Sequence, residues 1–414
     1  MTTFFRYLAG SCWLLGLGSS PGLLACASHH ATGDATLVIT HGGTYSGTYA
    51  SAESGVACIR VATREPVVLD NCQLRGPGNL IEAGEGADLT VRNCRGQGLP
   101  PTRDKQAPGH FLDAYKAQRL TIEHNQFSQT SGMVVNRWTP TAGPAQPGAP
   151  APTLTVRYNV ATNIDGRWRE GTTSGGEGFT RASFLQLNTV QHLAGVEIAF
   201  NQVLNAPDKS RVEDNFNFFN SSGTAASPLH VHDNFVRGGY PIPAIAKDSF
   251  TGSGLTTDGD ATTPETTTAY LEADHNQFVG IGNAGMNIAG GHDIYYHNNR
   301  LVSSGLLPDG QRFFAGFTGL GVANYYKQKP NLFFNHRVER NTVGYVRWGG
   351  HEPTDDRQDL APDACAPCAA TTIHLPGPIT LATENQEWLS WLAKVRQHQV
   401  VLGPVTRPGR SARP

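Results

Sequence analysis

One asparagine recurs at the end of a short apolar run along most of the chain. It closes LTIEHNQF (120–127), LTVRYNVA (154–161), VEIAFNQV (196–203), LHVHDNFV (229–236), LEADHNQF (271–278), IYYHNNRL (294–301) and HRVERNTV (336–343). The shared residues are Asn125, Asn159, Asn201, Asn234, Asn276, Asn299 and Asn341. Two earlier segments, VVLDNCQL (67–74) and LTVRNCRG (89–96), keep the register with Cys72 and Cys94 in its place. The shortest spacings are 22 residues, from 72 to 94, and 23, from 276 to 299. A fixed minimum with variable additions is the spacing of a solenoid with loops inserted between its coils.

A strand, a corner at asparagine and a second strand fit that period. Asparagine tolerates the left-handed backbone of a tight corner. Stacked coil on coil, its amide can donate and accept along a column, so a buried polar group stays satisfied. Cysteine is small and accepts burial, which suits the first rungs. The asparagines are therefore expected to be structural, and the fold all-β. A β-sandwich gives no reason for one asparagine per repeat, and a propeller needs a period nearer about 40 residues.

The pattern resembles the right-handed parallel β-helix repeats of the pectate-lyase-like superfamily, over residues 37–350. The resemblance implies a single-stranded right-handed parallel β-helix there. It does not choose among the polysaccharide lyases, polygalacturonases, uronate epimerases, tailspikes and adhesins of that superfamily. The polygalacturonase pattern NxD, DD, GHG, RxK is absent, with GGHD (290–293) matching half of its third part. The WxDH pattern of pectate lyases is absent too.

The two ends read differently from the repeats. Residues 1–26 carry one early charge, Arg6, and an apolar stretch from Tyr7 to Leu17, as a secretory signal does. Their end, Leu23-Leu24-Ala25-Cys26, resembles a bacterial lipobox, which implies lipid attachment at Cys26. Cleavage after Ala27 is the alternative. An exported cell-envelope protein follows, touching membrane through a lipid anchor only. Residues 351–414 hold a loop, one amphipathic helix and a tail. In TENQEWLSWLAKVRQ (383–397), Thr383 and Gln386 read as a capping box, and Trp388, Trp391, Leu392 and Val395 fall on one face, set to pack on the solenoid. Cys365 and Cys368 form either a local disulfide or two spare thiols.

Net charge is −2 and no basic stripe stands out, which argues against nucleic acid as a partner. A polysaccharide, acidic in character, is the expected partner. Asp113 and Asn287 each stand 12 residues before a ladder asparagine and should share a column on one face. With Asn136, Arg137, Asn324 and Lys327 they make the expected substrate floor. Arg167, Trp168 and Arg169 offer stacking and charge to an acidic sugar. Asp258 and Asp260 are either calcium ligands or a polar turn. A lyase or epimerase must neutralise a carboxylate, remove a C5 proton and, for cleavage, protonate the leaving oxygen. Lys247, His292, Asp293 and Tyr325 are the candidates for that work. A non-catalytic glycan-binding surface protein is the second reading. A hydrolase is the third, and would pair Asp113 with Asp258 or Asp260.

Overall fold

The structure is a computed structural model that describes residues 36–140, 151, 153–168, 178–246, 251–348, 355–361 and 369–405. The chain is a right-handed parallel β-helix with three strands in each full coil. One side is a ten-stranded sheet running from Leu37–Ile39 to Thr318–Val322, each strand beside those of the coils before and after. The other two sides meet at the asparagine corner. Strands before the corner, such as Leu229–His232 and Ala269–Asp274, pair with each other. Strands after it, such as Phe235–Gly239 and Gln277–Ile281, form the next ladder.

The ladder hydrogen bonds fix the register. Oδ1 of Asn159 accepts from both the backbone N–H and the side-chain amide of Asn125 (3.0 Å each). The Asn125 amide also donates to the Val91 carbonyl (2.9 Å) of the coil before. The same set recurs from Asn159 through Asn299, and Asn125 Oδ1 accepts from the Cys94 N–H (2.9 Å). Every ladder asparagine is fully buried yet hydrogen-bonded, as buried amides must be. Inside, Phe111, Phe127, Phe184, Phe216 and Phe278 form a row along the solenoid, the first three rings stacked and the later pairs edge-on, with centroids 4.3 to 6.3 Å apart.

The corner itself differs from the sequence expectation. The left-handed residue is the one before each ladder position: Asn71, Asn93, His124, Tyr158, Phe200, Asp233, His275, Asn298 and Arg340, all with φ between 50° and 59°. Asparagine is needed for its amide rather than for its backbone. Most of these corner residues pay the cost of about 1–2 kcal/mol for a non-glycine in this region, because the stacked amides on either side hold the turn.

The helix α1 spans Leu381–Gln397 and starts earlier than the sequence suggested. Thr380 is its N-cap and forms a reciprocal capping box with Thr383, so Thr383 is the third residue of the helix. The helix lies against the side of the middle coils. Trp391 is fully buried against Phe235 (ring centroids 5.6 Å), with Trp388, Leu392 and Val395 around it. Glu387 is buried and takes both guanidinium contacts of Arg300 (2.8 and 2.6 Å), and Glu384 accepts from Ser304 (2.7 Å). The tryptophans are thus packing residues. Cys26, Arg169, Lys247, Cys365 and Cys368 lie outside the described residues.

Candidate functional site

Parallel strands in register place their outward residues in columns. On the ten-stranded sheet one column runs Glu82, Asp113, Val134, Gln186, Asn217, Thr256, Asn287. A second, two residues further on, runs Tyr115, Asn136, Asn188, Phe219, Asp258. Asp113 and Asn287 do share a column, and Asn136 and Asp258 lie beside it.

The densest chemistry sits where the strands Asp214–Phe219 and Ser253–Asp258 adjoin. Asp214 is buried; its Oδ1 accepts from Thr256 Oγ1 (2.8 Å) and its Oδ2 from the Asn217 amide (2.9 Å). The same amide stands 3.5 Å from both oxygens of Asp258. The Tyr326 hydroxyl donates to Asp258 Oδ2 (3.2 Å), and its ring meets Phe219 edge-on. Burial, and then the charge of Asp214, push the Asp258 carboxyl up to about 8, against the pull of the Tyr326 and Asn217 hydrogen bonds. Burial also raises Asp214, while hydrogen bonds from Ser253, Thr256 and Asn217 and the charge of Arg181 pull it back. Burial and the neighbouring Asp258 raise the Tyr326 phenol. One coil on, Asn287 Oδ1 is buried with no hydrogen-bond partner. Tyr326 is 40 % exposed, so this group of side chains opens to solvent. A carboxyl that gains and loses its proton near neutrality, in contact with a phenol, is equipped for acid–base chemistry.

Several residues singled out from sequence have other occupations. His292 is 4 % exposed, stacked on Phe334, and both ring nitrogens are engaged, Nδ1 with Asp293 (2.6 Å) and Nε2 with the Pro264 carbonyl (3.1 Å). Neighbours in a strand normally face apart; these pair because Asp293 takes a left-handed backbone (φ 54°). This is a packed histidine, not a poised base. Asn324 spends both ends of its amide on the Gln328 backbone (2.7 and 2.8 Å), closing a loop rather than facing a substrate. Tyr326, not Tyr325, reaches the carboxylate, and Lys327 is an exposed turn residue with φ 51°. Asp258 and Asp260 do not converge as calcium ligands: Asp260 accepts from Asn220 (2.9 Å) while Asp258 faces Asn217 and Tyr326.

Three basic or aromatic residues lie elsewhere. Arg137 lines a cleft of about 560 Å³ with Arg64, Lys116 and Trp138. Arg167 is held by both oxygens of Asp165 and shares a cleft of about 440 Å³ with Trp168 and Pro100. Neither cleft includes the Asp214–Asp258 group. Asp113 bonds Asn79 (3.3 Å) and Asn136 (3.5 Å), with its carboxyl raised by burial. It sits four coils before Asp258, which removes the pairing a hydrolase would need. Asp214 and Thr256 escaped the sequence reading, and Tyr326 holds the place it gave to the adjacent Tyr325. Asp214 stands three residues before the column residue Asn217, in DNFN, and that spacing was the available signal.

No family model matches the sequence, and no curated protein matches it. Among solved structures the chain is similar to a mannuronic acid specific polysaccharide family 6 lyase enzyme from human gut microbiota. The TM-score is 0.40 and the identity 11 %, over 92 % of this chain and 89 % of that one.

Proposed function

We propose that the ten-stranded sheet binds an acidic polysaccharide and that Asp258 and Tyr326 move protons in a lyase or epimerase reaction on a uronate. The observation that carries this reading is the Asp258 carboxyl, held at about 8 beside an accessible phenol. The surrounding columns support a saccharide ligand. Amides and hydroxyls of Gln186, Asn217, Thr256 and Asn287 recur once per coil, about 4.8 Å apart, and Tyr115, Phe219 and Tyr326 add flat apolar surface beside them. Arg181, whose charge reaches Asp214 and Tyr326, and the Asn217 and Asn287 amides would meet the sugar carboxylate.

In β-elimination, ionised Asp258 takes the C5 proton and the electron pair forms the C4–C5 double bond. The C4–O bond breaks, and the leaving oxygen takes the Tyr326 proton. In epimerisation the C5 proton is returned from the opposite face instead. Asp214 is saturated by hydrogen bonds, so it raises Asp258 rather than attacking substrate. Activity then rises with pH through about 8, as Asp258 ionises. The protein would belong to the pectate-lyase-like superfamily and work outside the cytoplasm, anchored through a lipid on Cys26. The test incubates the mature full chain with acidic and neutral polysaccharides and follows unsaturated uronates, deuterium exchange at C5 and reducing ends. Asp258→Asn and Tyr326→Phe should each lower kcat by at least ~100-fold. Unchanged turnover in both variants refutes the assignment. Binding without turnover of any polymer leaves the second, non-catalytic reading.

A further inference from the structure

A second cluster lies on a different side of the solenoid, on the strands before the asparagine corner, and the proposed function does not use it. Glu272 and Asp274 are two residues apart on the strand Ala269–Asp274 and therefore share a face. His297, on the next coil, lies directly beside Asp274 in the sheet, and its Nε2 is 2.9 Å from Glu272 Oε1. One donor atom from each of the three falls within 4.8 Å of the others. We propose that Glu272, Asp274 and His297 bind a divalent first-row transition ion, of the class of zinc, manganese or cobalt.

The ring of His297 is set in place for this. It stacks on Tyr295 (centroids 4.1 Å), whose hydroxyl is tied to Glu339 (3.0 Å). Its Nδ1 is held by the Asn298 amide (2.8 Å), itself bonded to Arg340 (3.2 Å). Nε2 is thereby aimed at the carboxylates, the arrangement in which an outer residue fixes the orientation of a ligating imidazole. The side chains of Asp274 and His297 are 13 % and 12 % exposed, and that of Glu272 is 35 %, so the site is sheltered but reachable. On the preceding coil, His230 Nε2 is 2.6 Å from Asp274 Oδ1 and can supply a further nitrogen.

The donor set selects the ion. One or two imidazoles with two carboxylates suit first-row transition ions, whereas calcium takes six to eight oxygens. Zinc at about 2.0–2.2 Å from each donor needs donors roughly 3–3.5 Å apart, so the three side chains close in by small rotations. With Nε2 on the metal, Nδ1 carries the proton, and the Asn298 amide turns its oxygen towards it, giving up the bond its oxygen accepts from the exposed Arg340 side chain. The bound ion joins two successive coils, and a third if His230 is included.

The experiment uses the untagged full chain, stripped with chelator and titrated with cobalt(II). The expected result is one equivalent, with visible d–d bands of a low-coordinate nitrogen–oxygen site that zinc displaces. His297→Ala and the isosteric Glu272→Gln should each weaken cobalt binding at least ~10-fold, with unchanged circular dichroism. His192→Ala, an exposed histidine elsewhere, should leave it intact. Because Glu272 is part-exposed and its replacement keeps the shape, a folding failure of the histidine variant still leaves a decisive measurement. Absence of a bound equivalent at micromolar cobalt, or equal affinity in wild type and Glu272→Gln, overturns the proposal.

Discussion

Replacing Asp258 with asparagine should abolish an unusual pH dependence. The ordinary carboxyl value is 3.8, and burial together with Asp214 carries Asp258 to about 8 in the folded chain. Between those values the folded state holds a proton that the unfolded state has lost. Stability from this group is complete below about 4 and falls as pH rises, by about 1.4 kcal/mol per pH unit, until it is gone above about 8. The whole span amounts to about 6 kcal/mol as an upper bound, since water entering the site would soften the shift. Asparagine keeps the shape and the bond to Tyr326 but cannot ionise. Relative to that variant the wild type should therefore lose stability steadily from pH 5 to pH 8, whatever the other titrating groups contribute to both. Urea unfolding of the two proteins across this range, read by circular dichroism, measures the difference. A constant gap at every pH would show that Asp258 titrates as an ordinary surface carboxyl, and the proton-transfer reading would fall with it.

Other perturbations separate structural from functional residues. Asn234→Leu removes an amide that accepts from Asn201 and donates to Ile198 and Asn276. It should cost about 3 kcal/mol or more, because several buried groups lose partners at once. Asn341→Leu, at the last rung of the asparagine series, should cost less; equal costs in thermal unfolding would contradict a ladder carried from rung to rung. Cys26→Ala should move the exported protein from the membrane to the soluble fraction, and an unchanged distribution rejects lipid attachment.

The solenoid was legible because its constraint repeats. Each ladder asparagine must satisfy its neighbours on both sides, so the same residue type returns at the same register in coil after coil. The identity of the left-handed residue was not legible, since His, Tyr, Phe, Asp, Asn and Arg all occupy it. Nothing in their chemistry marks them; the stacked amides impose the conformation. Register alone also placed Asp113 and Asn287 in one column, because counting back twelve residues from the ladder is enough to find it. Which of them do chemistry was not legible in the same way. Asp258 differs from Asp113 through what closes over it: Tyr326 arrives from a loop 68 residues later, a contact no spacing rule predicts. His292 failed as a candidate for the same reason, since Phe334 and Pro264 arrive from elsewhere to cover it.

A β-helix divides its sequence between two demands. Inward and corner positions answer to the stack, and a change there is felt in adjacent coils. Outward positions answer only to what lies beside them, so they can diverge without cost to the fold. A carboxylate pair, a phenol or an imidazole cluster can then arise on any side where neighbouring coils happen to present compatible groups. The chain carries two such groupings on two sides: Asp214, Asp258 and Tyr326 on the ten-stranded sheet, and Glu272, Asp274 and His297 on the strands before the corner. Their coils overlap, for Asp258 and Glu272 belong to the same turn of the solenoid. Only the buried strand interiors and the short segment between them separate the two.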